Sequence, residues 1–271
     1  MYIKYLKAAL LIVLICAAAF ALWAAFSANR NVAREGAGDA PDLAITEGAS
    51  CQTQLDEAFS PKNVKFFLEG AEKGDPHAQF YMGAYNHLKL GNYKEAVKWF
   101  RKSAEQGCAE AQFRLAELYF QGAGAAANEQ EGFKWFLKAA ENGYPEALFK
   151  AAIYYENGKG VDKNEAEAFK WFLKAAEQGD TAAQFKVGMC YESGSDGTAV
   201  NEKAAAEWYR RAAEHDGHEL GVKEARYALG VCYRDGKGVA ADKKEAAKWF
   251  KKAAEAGLEE AETALSELKQ Q

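Results

Sequence analysis

Five of the six tryptophans recur at a nearly constant spacing, which limits the chain to a fold built from copies of one unit. Successive members are separated by 36, 36, 37 and 41 residues: Trp99, Trp135, Trp171, Trp208 and Trp249. An aromatic residue follows each of them, and an alanine stands five positions after each tryptophan. A period of this length is typical of helical-hairpin repeats, whose neighbouring copies bury a continuous core together.

Asparagine and glycine mark the two ends of a helix that contains each tryptophan. Glycine stands eight residues after four of the tryptophans, with Asp216-Gly217 as the variant in the fourth copy. Glycine adopts the positive φ that ends many helices. An N-cap residue precedes each tryptophan by seven positions: Asn92, Asn128, Asn164, Asn201 and Asp242. Four of these have glutamate three residues later, which predicts capping boxes: Asn92/Glu95, Asn128/Glu131, Asn164/Glu167 and Asp242/Glu245.

A second set of columns predicts another helix between the glycine and the next N-cap. Its alanine, aromatic, small and tyrosine positions recur as Ala111, Phe113, Ala116 and Tyr119, then Ala147, Phe149, Ala152 and Tyr155, then Ala183, Phe185, Gly188 and Tyr191, then Ala225, Tyr227, Gly230 and Tyr233. Small side chains allow two helices to approach closely. Each copy is therefore predicted to be a helical hairpin, with a first helix, a glycine-containing loop and the tryptophan-bearing second helix.

These columns resemble the Sel-one-like repeat (SLR) family, relatives of the tetratricopeptide repeats, through A-x-x-x-[LAV]-[AG]-x-x-Y-x-x-G-x-G-V…W-F-x-K-A-A-E-x-G. The resemblance covers about residues 60–271 and implies an all-α fold, a right-handed α-solenoid of about five repeats with a C-terminal capping helix. The first copy departs from the pattern because its loop has the shorter length typical of tetratricopeptide repeats. Ser60-Pro61 predicts the start of half a repeat before it.

The N-terminal segment predicts export. Residues 8–26 are apolar throughout and follow Lys4 and Lys7. Nineteen residues exceed the roughly 7–15 of a signal peptide's apolar region and approach the ~20 that span a bilayer. Residues 1–28 are therefore interpreted as a signal peptide or an uncleaved membrane anchor, with the anchor or a slowly cleaved signal slightly favoured, and residues 29–59 as a flexible linker. We expect the repeats in the periplasm of a bacterial cell envelope, either secreted there or anchored to the inner membrane.

The net charge of the chain and the motifs that it lacks limit the classes of partner that it can bind. The formal net charge of −5 gives no electrostatic support for nucleic-acid binding, so we expect a protein or peptide partner and membrane contact only through the N-terminal segment. No cofactor motif occurs, and His215 and His218 lack a third metal ligand at suitable spacing. Cys190 and Cys232 share one column of successive repeats, too far apart for a disulfide, and are predicted to be core residues. A disulfide between Cys51 and Cys108 stays open.

One face of the first helix is predicted to bind the partner. With the repeat alanine as position zero, positions 2, 6 and 9 lie opposite the arc that carries the core. An apolar ladder rimmed by Glu156 and Glu192 would suit an amphipathic helix or an extended peptide with some positive charge. The predicted binding residues are Phe113, Glu117, Phe149, Ile153, Glu156, Phe185, Met189, Glu192 and Tyr227. The alternative is that the aromatic column packs between neighbouring first helices.

The resemblance also bears on function. Members of the family are generally scaffolds that gather partner proteins, so it implies a protein-binding scaffold, either in envelope assembly or as an immunity protein that occludes a toxin. Some cysteine-rich members bind or hydrolyse β-lactams, and this is the alternative function. Ser266 to Lys269 match S-x-x-K but lack the S-D-N and K-T-G partners of such enzymes. The sequence therefore predicts no enzyme.

Overall fold

The computed structural model describes residues 58–195, 197–216 and 220–270, and every regular element in these ranges is a helix. The helices are α1 (Pro61–Glu72), α2 (Pro76–Ala84), α3 (Tyr93–Glu105), α4 (Ala109–Gln121), α5 (Glu129–Glu141), α6 (Pro145–Asn157), α7 (Glu165–Glu177), α8 (Thr181–Ser193), α9 (Glu202–Ala213), α10 (Val222–Asp235), α11 (Lys243–Glu255) and α12 (Glu259–Gln270). Five hairpins follow in order, repeat 1 (α2 and α3) to repeat 5 (α10 and α11). The chain divides into two compact units at residue 106.

The first unit contains α1 to α3. The rings of Phe67 and Tyr81 stack with centroids 3.8 Å apart and join α1 to α2. Phe59 is buried against Tyr81, whose hydroxyl donates a hydrogen bond to the carbonyl of Ala58. Ala58 and Phe59, assigned to the end of the linker from the sequence, thus pack into this unit. Helix α2 continues as a π-helical turn over Tyr85–Lys89.

The second unit contains α4 to α12, and each helix packs against the next along the chain. Helices α8 and α10, the first helices of repeats 4 and 5, also contact each other. The core is built from alanine, leucine and aromatic side chains of both helices of each hairpin. The all-α fold of consecutive helical hairpins predicted from the sequence is confirmed.

The predicted N-caps are confirmed, but the reciprocal half of the capping boxes is wrong. Each cap side chain accepts a backbone hydrogen bond from its own first turn, as Asn164 does from the Glu167 amide at 3.1 Å. The cap amides, however, donate to a carbonyl of the preceding first helix. The pairs in the second unit are Asn128 to Tyr119, Asn164 to Tyr155, Asn201 to Tyr191 and Asp242 to Tyr233, at 2.7–3.1 Å. Because these amides are satisfied, the glutamates can pair instead with lysines one turn later.

The small-residue column lets the two helices of a hairpin touch. A Cβ placed on Gly188 would lie 2.6 Å from the ring of Tyr209, and one on Gly230 would lie 2.6 Å from the ring of Phe250. Ala116 and Ala152 fill the same column and are fully buried. The close approach predicted from the sequence is therefore confirmed.

Several predictions fall outside the described residues. These are the export segment, most of the linker, Cys51 and His218. Within the ranges described, none of the helices is both long and apolar enough to cross a membrane. Cys190 and Cys232 are buried, which confirms their prediction as core residues, and Cys108 is half-buried. These three thiols form no disulfide among the residues that the structure describes.

Candidate protein-binding surface

The aromatic column at position 2 packs on the second helix of its own repeat. Each ring contacts the aromatic residue that follows the repeat tryptophan, with centroids 5.1–5.7 Å apart. The pairs are Phe80 with Phe100, Phe113 with Phe136, Phe149 with Phe172, Phe185 with Tyr209, and Tyr227 with Phe250. These ring contacts lie inside a repeat. Phe185 also packs against the core that contains Ala225 and Leu229 of α10, which is the contact between neighbouring first helices that the alternative interpretation expected.

Exposure of this column changes along the second unit. Phe113 of repeat 2 is 5% exposed, whereas Phe149, Phe185 and Tyr227 are only half-buried. Position 6 changes in chemistry, from Glu117 in repeat 2 to three apolar residues in repeats 3 to 5, of which Met189 is 42% exposed and the other two are half-buried. The partly exposed apolar residues of repeats 3 to 5 form what we call the apolar stripe: Phe149, Ile153, Phe185, Met189, Tyr227 and Val231.

Repeat 2 carries charge where repeats 3 to 5 carry the stripe. Arg114 pairs with Glu117 at 2.9 Å on α4. One turn earlier, Glu110 is half-buried, and its Oε1 has no hydrogen-bond partner within the described residues. Burial raises the pKa of Glu110 to about 7, the nearby Glu146 adds to the rise, and Arg114 opposes it. The predicted residues Phe113 and Glu117 are thus a buried ring and a neutralised carboxylate.

Glu156 of repeat 3 is neutralised across the repeat boundary. Its Oε1 accepts a hydrogen bond from Lys186 Nζ of repeat 4 at 3.0 Å. Lys186 stands at position 3 of its first helix, the position that Arg114 and Lys150 hold in repeats 2 and 3. Lys150 is exposed and makes no ion pair within the described part of the chain. Position 3 therefore carries a cation in repeats 2 to 4, and the cations of repeats 2 and 4 are paired with carboxylates.

Glu192 of repeat 4 is held differently. The hydroxyl of Tyr209 donates a 2.7 Å hydrogen bond to its Oε2, and Lys237 Nζ lies 4.0 Å from its Oε1. Burial, followed by this hydrogen bond to Glu192, raises the pKa of Tyr209, so the phenol keeps its proton and acts as a donor. Sequence reasoning missed this contact, although the signal was visible, because tyrosine stands here where the other four repeats have phenylalanine.

A cation lies over each repeat tryptophan. Lys or Arg three residues after the tryptophan sits 3.9–4.5 Å from the ring centroid: Lys102, Lys138, Lys174, Arg211 and Lys252. Three of the indoles are buried and the other two half-buried, so the tryptophans belong to the packing of the repeats. Sequence reasoning assigned no contact to the lysine of the W-F-x-K signature, although its position one turn after tryptophan could have predicted this one.

The described residues carry no group of three or more His, Cys, Asp or Glu that could hold a metal ion. Ser266, the first residue of the S-x-x-K match, is exposed and donates a hydrogen bond to the carbonyl of Thr263 at 2.8 Å. Its hydroxyl is thus engaged with its own helix.

Comparison with known proteins agrees with the repeat structure. A family model described as the Sel1 repeat matches residues 76–108, 109–144, 145–180, 181–217 and 223–258. The structure of a Sel1 repeat protein from Oxalobacter formigenes has a TM-score of 0.63 and 32% identity, over 81% of this chain and 85% of that one. The protein c5321, a protective antigen of uropathogenic Escherichia coli with an SLR fold, has a TM-score of 0.66 and 30% identity, over 75% of this chain and 43% of that one.

Two curated relatives match over shorter stretches. A sel1-like repeat-containing protein of Acanthamoeba polyphaga mimivirus is 34% identical over 62 residues, 22% of this chain and 12% of that protein. An F-box protein of Arabidopsis thaliana is 41% identical over 56 residues, 20% of this chain and 16% of that protein. The matches thus span less than a fifth of either relative. Proteins built from Sel1 repeats generally mediate protein–protein interaction and are typically non-catalytic scaffolds.

Proposed function

The chain belongs to the Sel1 repeat family, and on that premise we propose that it is a scaffold that binds a partner protein through the apolar stripe of repeats 3 to 5. The observation that carries this proposal is the exposure of large apolar side chains on successive first helices, above all Met189 at 42%. Partly exposed apolar residues that lie at the same position of consecutive repeats suit the apolar face of an amphipathic helix or an extended peptide.

Variation between copies supports the same choice. The residues that build the hairpin are the same in nearly every repeat, because each copy needs them for the same packing. Position 6 instead changes from Ile153 to Met189 to Val231. A surface shaped for one partner needs such differences, whereas a packing column does not. Methionine also adapts its shape to a partner more readily than branched side chains do.

We further propose that the protein acts outside the cytoplasm of a bacterial cell, with the repeats in the periplasm and residues 8–26 as signal peptide or inner-membrane anchor. Two roles fit a periplasmic scaffold. An immunity protein would bind one toxin tightly and abolish its activity, whereas an assembly scaffold would hold several envelope proteins and leave their activities intact. Assaying the captured partner with and without the scaffold separates the two roles.

Photo-crosslinking in the producing cell tests the binding surface. A photoreactive amino acid replaces Met189 in the stripe in one strain and exposed Lys174 on α7 in another. We expect a discrete protein adduct at position 189 that is missing at position 174. No adduct at position 189 in a folded, exported protein, or equal adducts at both positions, would refute the proposal.

A further inference from the structure

The carboxylate of Glu192 is exposed, and a hydrogen bond from a buried side chain fixes its orientation. Tyr209 is 1% exposed and reaches Glu192 Oε2 with its hydroxyl at 2.7 Å. A hydrogen bond from a buried phenol to a carboxylate is charge-assisted and therefore strong and short. The other repeats have Phe100, Phe136, Phe172 and Phe250 at this position, so only repeat 4 can make the contact.

Glu192 also lacks the cation that neutralises its counterpart in repeat 3. Glu156 occupies position 9 of repeat 3 and pairs with Lys186, at position 3 of repeat 4, at 3.0 Å. The residue at position 3 of repeat 5 is Ala228. The remaining cation, Lys237, lies 4.0 Å from Glu192 Oε1, and both side chains are more than 40% exposed. An ion pair at this distance and exposure is screened by water and contributes little.

The carboxylate stands beside the most exposed residue of the apolar stripe. Met189 precedes Glu192 by three residues on α8, so the two side chains lie on the same side of the helix. Among the described residues, Oε1 of Glu192 accepts no hydrogen bond. The surface therefore combines the apolar stripe with one oriented carboxylate, and Oε1 of that carboxylate is available to a hydrogen-bond donor of a partner.

From this arrangement we infer that Glu192 receives a basic side chain, lysine or arginine, of the partner segment that docks on the apolar stripe. The inference rests on the proposed function and specifies the chemistry of the partner: an amphipathic segment with a basic residue next to its apolar anchors. Contact with the partner removes water from Glu192, so that an opposite charge brought to Oε1 becomes worth more than the exposed pair with Lys237.

Selection from a peptide library tests the inference while the partner itself is unidentified. A phage-displayed library of amphipathic 16-residue peptides is selected on the full chain, kept soluble by a mild detergent, and on its Glu192→Gln variant. Peptides enriched on the wild type are synthesised together with copies in which the basic residue is replaced by citrulline or norleucine. Their affinities are measured by fluorescence anisotropy.

Three further variants provide matched controls. Glu156→Gln removes a carboxylate that Lys186 already neutralises. Tyr209→Phe restores the residue of the other repeats and removes only the hydroxyl that orients Glu192. Ala228→Lys introduces the cation found at position 3 of repeats 3 and 4. This lysine would neutralise Glu192 as Lys186 neutralises Glu156. Unfolding curves establish that each variant is folded, and the first two changes are conservative enough to keep the test valid if Ala228→Lys is not.

We expect a basic residue beside the apolar anchors of the enriched peptides and at least a tenfold loss of affinity when it is neutralised. Glu192→Gln should abolish that difference, Tyr209→Phe and Ala228→Lys should reduce it, and Glu156→Gln should leave it intact. If the enriched peptides lose affinity on Met189→Glu but need no basic residue, the inference is overturned and the proposed function stands. Failure to enrich any peptide, or binding that ignores Met189→Glu, would overturn the proposed function as well.

Discussion

The backbone amide of Asn164 donates a 2.8 Å hydrogen bond to the carbonyl of Tyr155. The start of one helix of the hairpin is thereby tied to the end of the other across the loop. Asn164 uses its side chain for its own helix, where Oδ1 accepts from the Glu167 amide at 3.1 Å. A single residue therefore fixes both the beginning of α7 and its position against α6.

The first prediction compares how much the two residues of the expected capping box, Asn164 and Glu167, contribute to stability. Asn164→Ala should lower the free energy of unfolding by about 1 kcal/mol, because an N-cap acceptor is lost. Glu167→Ala, which removes the side-chain acceptor of the capping box, should change it by less than about half of that, because the cap amide is already bonded to Tyr155 and the pair of Glu167 with Lys170 is exposed. Urea denaturation measures both free energies, and equal losses would show that Glu167 does bond the cap amide.

The second prediction concerns the contact between Gly230 and Phe250. Gly230→Ala should destabilise the protein by about 1–3 kcal/mol, since the new methyl group would lie 2.6 Å from the aromatic ring. Phe250→Leu removes ring atoms at that point, so the double variant should lose less stability than the sum of the two single variants. Additive losses in a denaturation cycle would show that the close approach does not limit this position.

The third prediction is a dependence of stability on pH that arises at Glu110. Its folded pKa is raised to about 7, above the ordinary value of 4.5, so the native state holds this proton more tightly than the unfolded state does. The free energy of unfolding should therefore fall as the pH rises from about 4.5 through about 7. Below that window Glu110 is protonated in both states and adds no dependence.

Glu110→Gln isolates this contribution, because glutamine is neutral at every pH. The variant should be more stable than the wild type at pH 8, and the advantage should shrink towards pH 4.5. Glu146→Gln, an exposed carboxylate on α6, is the control and should leave most of the dependence in place. A wild-type profile that stays parallel to that of Glu110→Gln across the window would contradict the raised pKa.

The fourth prediction ranks the reactivity of the described thiols. Cys232 is 3% exposed, and burial, with Glu192 as the next cause, raises its pKa to about 11, so little thiolate forms at neutral pH. Cys108 is half-buried. In the native protein a maleimide should modify Cys108 at least tenfold faster than Cys232, as measured by peptide mapping over time. Comparable rates in the folded state, rather than only in denaturant, would refute the burial of Cys232.

Much of the fold could be predicted because every repeat follows the same rule. The caps, the small-residue column and the glycines at helix ends follow from local chemistry that one sequence displays several times. The destination of the Asn164 amide could not be predicted, because it depends on where the carbonyl of Tyr155 lies after the hairpin closes. The glutamate three residues after the cap gave a convincing but local alternative.

The site was less predictable for a related reason. Sequence periodicity placed Phe113 and Phe149 on the same helix face and predicted both as binding residues. The structure buries Phe113, whereas Phe149 is only half-buried. Exposure depends on neighbouring repeats, which the pattern of one repeat does not contain. Likewise, Glu156 and Glu192 look alike in the sequence, and only the three-dimensional contacts distinguish a neutralised carboxylate from an oriented one. Whether these residues bind a protein stays a prediction.

The loop glycines limit where such a chain can gain residues. A Cβ on Gly238 of repeat 5 would lie 2.0 Å from the carbonyl oxygen of Glu202 in repeat 4, and one on Gly160 of repeat 3 would lie 2.3 Å from that of Glu129 in repeat 2. The loops of repeats 3 and 5 thus fit closely against the repeat before them. Tandem duplication of one whole period preserves this fit wherever the copied piece begins, whereas insertion into the loop loosens it: the loop of repeat 4 has one residue more, and a Cβ on its Gly197 would lie 3.4 Å from Ala166. The longest tryptophan spacing, 41 residues, obeys this constraint, because the additional residues lie between α9 and α10, away from the Gly238 contact.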